Sequence, residues 1–290
     1  MFAVSKILLP VDFSGRSIGA AQYAKALACR FHSELHVVHV VDLRVYGIYG
    51  MGNDRAAAFE FAPGCQKEAE HELDGFLPGE LRSLNVRKVL LYGDPAHEIV
   101  GYAASEKIGL IVLPTHGHGP FRRFLLGSVT AKVLHDTSCP VWTGAHMEQT
   151  PTIETVSFRR ILCALDPWNG DHAALTWAWQ FAREAGGEVK IVHALPPLYA
   201  PDSPHFDEEM KEQMAAQAKA QIGRVQQIVG TQAPVHIVAG EAADAVCTAA
   251  REWKADLLLI SRGVATGFMG RLRSRSYSII RESPCPVVSV

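Results

Sequence analysis

The chain repeats itself in order and in spacing, which commits it to two similar folding units. Lys6-Ile7-Leu8-Leu9-Pro10-Val11-Asp12 recurs as Arg160-Ile161-Leu162-Cys163-Ala164-Leu165-Asp166, and His36-Val37-Val38-His39-Val40 recurs as Lys190-Ile191-Val192-His193-Ala194. Ser138-Cys139-Pro140-Val141 returns as Pro284-Cys285-Pro286-Val287. Asp12 and His39 share one offset from Asp166 and His193; Gly117 and Cys139 share a shorter one from Gly263 and Cys285. The second copy is therefore about eight residues shorter, mostly between its second and third strands. The glycine-rich stretch Tyr46–Gly52 of the first copy is expected to hold most of that difference. The expected domains are 1–148 and 158–290, joined by the polar stretch Ala145–Ser157 with its Pro151.

Within each copy, short apolar runs alternate with longer helical patterns. In the first, strands are predicted at Lys6–Val11, Glu34–Val41, Val86–Leu91, Leu110–Leu113 and Val141–Thr143. Helices are predicted at Ser17–Phe31, Gln66–Leu81, Ala96–Glu106 and Ser128–Asp136, with Ala20, Ala24, Leu27 and Phe31 on one face of the first. Strands apolar on both sides and separated by helices imply a parallel sheet covered on both faces. Right-handed crossovers then give two doubly wound α/β domains, flavodoxin-like or Rossmann-like, in tandem.

Bulk properties remove several classes of function. The formal net charge of −2 gives no electrostatic reason to expect nucleic-acid or membrane binding. No apolar run approaches the roughly 20 residues a bilayer requires. The N-terminus enters a strand without the pattern of an export signal, so the default expectation is cytoplasmic. Six cysteines (Cys29, Cys65, Cys139, Cys163, Cys247, Cys285) form no CxxC pair and are expected to be buried thiols.

In such sheets a ligand sits beyond the carboxyl ends of the strands where strand order reverses. Two segments end there in the first copy. Pro10-Val11-Asp12-Phe13-Ser14 places a carboxylate just past the first strand, and an ionised carboxylate, which only accepts hydrogen bonds, suits a ribose hydroxyl. Pro114-Thr115-His116-Gly117-His118-Gly119-Pro120 follows the fourth strand and runs through Arg122-Arg123 to Gly127-Ser128-Val129-Thr130. Glycines let backbone approach phosphate closely, and Gly127-Ser128 opens a helix whose positive end attracts anions.

Together these segments resemble the universal stress protein family, whose nucleotide signature G-x2-G-x9-G-[ST] follows the fourth strand. Here Gly117 and Gly127 stand as its second and third glycines, followed by Ser128, while Pro114 occupies the place of the first. The resemblance implies ATP, with or without Mg²⁺, with Asp12 at the ribose and Val40 at the adenine. The nucleotide-binding set it implies is Pro10, Val11, Asp12, Val40, Leu113, Thr115, Gly117, Gly127, Ser128, Val129 and Thr130. It also implies an internal pseudo-dimer of the two halves through their last strands, with a homodimer of whole chains left open and the downstream protein partner unknown.

The second copy departs more. Ile260 replaces the first glycine, Arg273-Ser274 stands where Gly-Ser belongs, and Pro167-Trp168-Asn169 follows Asp166. A side chain at the third glycine is expected to fill space that phosphate needs, so nucleotide is expected in the first half only. Asp166 reads better as a cap for the following helix. His116 and His118 read as solvent-facing rather than as metal ligands, His39 and His193 as satisfied core residues, and Arg262, Arg271, Arg273 and Arg275 as a solvated loop. No GxGxxG or GxxxxGK[ST] is present, and no acid–base pair for phosphoryl transfer stands out, which leaves slow hydrolysis at most. Two functions remain: a nucleotide-binding stress or signalling module, and a scaffold or small-ligand carrier on the same fold.

Overall fold

Ile7, Leu8 and Leu9 are successive residues, so their side chains alternate between faces, yet all three are fully buried. That is possible only in a strand covered on both sides. The computed structural model describes residues 4–42, 63–117, 126–144, 156–169, 172–196, 204–262 and 271–290. Two compact units divide the chain, one through Thr143 and one from Ser157 onward.

In the first unit the order is β1 (Lys6–Val11), α1 (Gly15–Phe31), β2 (Glu34–Val41), α2 (Pro63–Gly75), β3 (Val86–Tyr92), α3 (Pro95–Ser105), β4 (Leu110–Val112), α4 (Ser128–Asp136) and β5 (Val141–Thr143). The strands lie β3-β2-β1-β4-β5, all parallel, so chain order reverses between β1 and β4. Gly19, Ala20, Ala21, Ala24 and Ala28 give α1 a small-residue face, and Leu27 is buried with them. Each large aliphatic side chain buried this way contributes about 1.5–3 kcal/mol.

The second unit repeats the plan with β6 (Arg160–Ala164), a 3₁₀ turn (Pro167–Asn169), α5 (Ala173–Ala185), β7 (Glu188–Leu195), α6 (Pro204–Val229), β8 (Val235–Ala239), α7 (Ala242–Trp253), β9 (Leu257–Ile260), α8 (Arg271–Glu282) and β10 (Val287–Ser289). Its strands lie β8-β7-β6-β9-β10, again parallel. Trp177 stacks on Phe181 at 4.9 Å, and Phe158 meets Phe181 edge-on, filling the space under α5. None of the described helices is long and apolar enough to cross a membrane.

Two expectations are corrected here. The helix expected over Gln66–Leu81 ends at Gly75, and Leu77 takes a positive φ of 44° immediately before Pro78. Proline clashes with a helical residue ahead of it, so the chain leaves the helix and continues in turns. Lys88 on β3 then donates to the carbonyls of Leu73, Asp74 and Phe76, closing the helix end with a cation. The second correction concerns Cys29, which is exposed: it sits on the outer face of α1, while Cys139, Cys163, Cys247 and Cys285 are buried. The Tyr46–Gly52 stretch and the Cys65 side chain lie outside the described residues.

Candidate functional site

β1 ends in Asp12, whose two carboxylate oxygens have different surroundings. Oδ1 accepts from the Ser14 amide (3.1 Å), the Ser14 hydroxyl (2.6 Å) and the Ser17 hydroxyl (2.6 Å). Ser17, itself 1% exposed, also accepts from the Asp12 amide at 3.1 Å. Ser14 is the N-cap of α1, so the carboxylate is tied to the first turn of a rigid helix. Oδ2 faces the loop after β4, where a Cβ built on Gly117 would lie 2.0 Å from it. Gly117 is therefore required because a carboxylate oxygen occupies its side-chain position. Arg16 fastens the same point by donating Nη1 to the Gly117 carbonyl at 2.6 Å.

Between Asp12 and Ser14 the chain passes through Phe13 at φ 62°, a left-handed conformation that costs a non-glycine residue about 1–2 kcal/mol. It carries the phenyl ring over His39, with centroids 4.4 Å apart. His39 Nδ1 donates to the Val11 carbonyl at 2.8 Å, since a carbonyl can only accept. His193 makes the equivalent bond to Leu165 at the same distance. Both histidines brace a strand end; His193 is buried as expected, whereas His39 is half-buried and lines the cleft at this edge.

The loop after β4 returns to its own start. Gly127 donates its amide to the Thr115 carbonyl at 2.8 Å, and Thr130 donates its hydroxyl to the Pro114 carbonyl at 2.9 Å. Gly127 has an ordinary φ of −61° and receives no side-chain cap, leaving the first amides of α4 without a capping side chain. The reason for glycine here differs from the expected one. Its Cβ would press on His116 Cα at 3.1 Å and on the Thr115 carbonyl at 3.3 Å, so a side chain would first strain the loop itself. His116 also corrects its expectation. It is buried at 6% exposure, with Nδ1 2.9 Å from the Thr115 hydroxyl, because the closed loop folds it inward. His118, Gly119, Arg122 and Arg123 lie outside the described residues, and no group of three or more His, Cys, Asp or Glu suited to a metal occurs among those described.

A cleft of about 170 Å³ opens at this strand-order reversal. Of the residues singled out from sequence, Pro10, Val11, Asp12, Val40, Leu113, Gly117, Val129 and Thr130 line it. Thr115 is buried behind the loop, and Gly127 with the exposed Ser128 stands at the start of α4, outside the lining. Ser17, Pro95 and Ile99 also line it and were not anticipated. Ser17 lies one turn inside α1, where the helical period brings it back over Asp12; Pro95 starts the helix after β3, at the same edge of the sheet.

The model of the universal stress protein family matches residues 3–143 and again 157–290. The chain belongs to the universal stress protein family. It is 33% identical over 138 residues to a universal stress protein of Methanocaldococcus jannaschii, a match covering 47% of this chain and 79% of that one. A universal stress protein of Mycobacterium tuberculosis is 24% identical over 237 residues, 78% of this chain and 74% of its own. Among solved structures, a universal stress protein from Archaeoglobus fulgidus superposes with a TM-score of 0.67 at 24% identity, covering 99% of this chain and 98% of that one. That likeness carries the tandem fold.

The corresponding place in the second Usp unit is built differently. Asp166 is exposed and accepts from the Trp168 amide at 3.2 Å, so it caps the 3₁₀ turn; the N-cap of α5 is His172, which corrects the expected cap role. Trp168 stands 57% exposed. Arg262 pairs its amide with the Val290 carbonyl at 2.9 Å. Gly263 and the side chains of Arg271, Arg273, Ser274 and Arg275 lie outside the described residues.

Proposed function

We propose that the first unit binds an adenine nucleotide, ATP with or without Mg²⁺, between the ends of β1 and β4, and that occupancy alters the surface offered to a protein partner. The observation that carries this reading is the divided carboxylate of Asp12. Oδ1 is held by Ser14 and Ser17, which fixes the carboxylate at the mouth of the cleft before a ligand arrives. A fixed acceptor beside an apolar wall of Val11, Val40 and Leu113 suits the hydroxyls and base of a nucleoside. The uncapped first turn of α4 suits its phosphates. Family membership supports the assignment through the Gly117, Gly127 and Ser128 signature. Asp12 is the only carboxylate lining the cleft among the described residues, and the set holds no second acid–base group paired with it for phosphoryl transfer. The reading is therefore a ligand-responsive module, with slow hydrolysis at most.

Freshly purified chain, denatured and analysed by anion-exchange chromatography, is expected to release adenine nucleotide, and calorimetry is expected to give one ATP per chain. No released nucleotide together with no heat from ATP or AMP would overturn the reading, and two equivalent sites would overturn its restriction to the first unit.

A further inference from the structure

Three side chains of the turn that opens α1 converge on one point. Ser14 and Ser17 return to Asp12 Oδ1, while Arg16 extends to the loop after β4 and donates Nη1 to the Gly117 carbonyl at 2.6 Å. Gly117 is thereby held twice, since Asp12 Oδ2 occupies the place of its missing Cβ. We propose that Arg16 is a positioning residue for the ribose: it seats Gly117 against the Asp12 carboxylate and so keeps that carboxylate in one orientation for the nucleoside. The inference rests on nucleotide binding by the first unit and adds to it a residue that does not itself line the cleft.

Helix physics alone gives no reason for an arginine at this position. The first turn of a helix carries positive partial charge, which a cation opposes, and α1 has no acidic residue in that turn to offset it. The bond to Gly117 spans 101 positions of sequence, and a guanidinium donating to a carbonyl makes a charge-assisted bond, roughly twice as strong as a neutral one. Neighbouring residues of a helix point about 100° apart, so Ser17 can face Asp12 while Arg16 needs its length to reach the loop.

The carboxylate needs that second hold. Three hydrogen bonds pin Oδ1, but a single pinned oxygen is a pivot about which the other can still swing. The contact with Gly117 stops the swing, and Arg16 keeps Gly117 in place. The second unit shows the same aspartate without these supports. At the offset that relates Asp12 to Asp166, Trp168, Gly170 and Asp171 stand where the first unit has Ser14, Arg16 and Ser17. There the aspartate is exposed and accepts from the Trp168 amide at the head of a 3₁₀ turn, whereas Asp12 is half-buried. The aspartate is retained, and its setting changes together with its supports.

Calorimetry on the full chain with ATP, adenosine and inorganic triphosphate tests the role. Arg16→Met should weaken ATP and adenosine alike, at least about five-fold, because both present the ribose. Triphosphate should change less than about two-fold, which also shows that fold and loop are intact. Arg16→Lys keeps a cationic donor and should bind ATP and adenosine at least about three-fold more tightly than Arg16→Met. In Asp12→Ala, adding Arg16→Met should change ATP affinity less than about two-fold, since no carboxylate is left to orient; an arginine that merely supports the fold would act in both backgrounds. Absence of ATP and adenosine binding by the unmutated chain would overturn the nucleotide reading and this inference with it. Binding by the unmutated chain that Arg16→Met leaves unchanged would overturn this inference alone. So would a triphosphate loss matching that of adenosine, no recovery in Arg16→Lys, or an equal loss in the Asp12→Ala background.

Discussion

Gly117→Ala tests how the first site transmits its geometry. The added Cβ would stand 2.0 Å from Asp12 Oδ2, whereas non-bonded heavy atoms settle near 3.5 Å, so one of the two must move by about 1 Å or more. Asp12 resists, because turning its carboxylate loosens the three hydrogen bonds at Oδ1. Whichever partner yields, a hydrogen bond from Oδ2 to ribose lengthened by about 1 Å is lost. A bond to a charged acceptor contributes about 1.5–3 kcal/mol, so ATP should bind about 10- to 150-fold more weakly. Asp12→Ala should produce a similar loss. In the double variant the obstruction is gone, so Gly117→Ala should add less than about 0.5 kcal/mol to the effect of Asp12→Ala. Calorimetry with ATP and with inorganic triphosphate on the four proteins reads the whole cycle. Triphosphate, lacking ribose, should bind all four within a factor of about two. Additive losses for ATP, or a matching loss for triphosphate, would refute the reasoning, since the glycine would then act on the loop and not through the carboxylate.

Ser17→Ala removes a 2.6 Å donor to Asp12 and the acceptor for its amide, from a residue 1% exposed. It should lower stability by about 1–3 kcal/mol in denaturant melts and weaken ATP more than triphosphate. Lys88→Met should lower stability by about 1–2 kcal/mol, because the carbonyls of Leu73, Asp74 and Phe76 lose their shared cation; an unchanged midpoint would show that water replaces it. Burial pushes the thiols of Cys247 and Cys285 up to about 11 and about 12. The unfolded chain gives up these protons first, so stability should fall as pH rises from about 9 towards 12 and be indifferent to both thiols below that; replacing each by Ala should flatten the decline. In the native chain at pH 8 a maleimide should label Cys29 and leave Cys139, Cys163, Cys247 and Cys285 unmodified until unfolding.

What sequence revealed of the fold was set by how many physical signals agreed. β1, β2, β5 and α4 were bounded as observed, because unbroken apolar runs next to turn residues leave a buried parallel strand few alternatives. α2 was overextended because Phe76 and Leu81 are buried and continue an apolar pattern that the chain follows without helical hydrogen bonds. Pro78 was the contrary signal, readable from sequence. At the site, the carboxylate and the glycines could be found from spacing. Their reasons could not: that Gly117 yields to Asp12, and Gly127 to His116, depends on backbone from distant positions meeting at one edge. Ser17 was hidden by its type, since a serine in the first turn of a helix ordinarily reads as solvent-facing. His116 was misjudged because loop closure by Thr115, Gly127 and Thr130 is a tertiary event.

The shared brace between histidine and strand-end carbonyl gives the duplicated chain a way to diverge without risk to its framework. His39 and His193 do the same structural work, and that work uses one ring nitrogen only. The residue after the neighbouring aspartate decides whether the rest of the ring stays covered. With Phe13 it is roofed; Pro167 brings no ring, and none of the described aromatic residues lies over His193. A copy can thus change its guest by exchanging a roof, while the joist beneath remains in place.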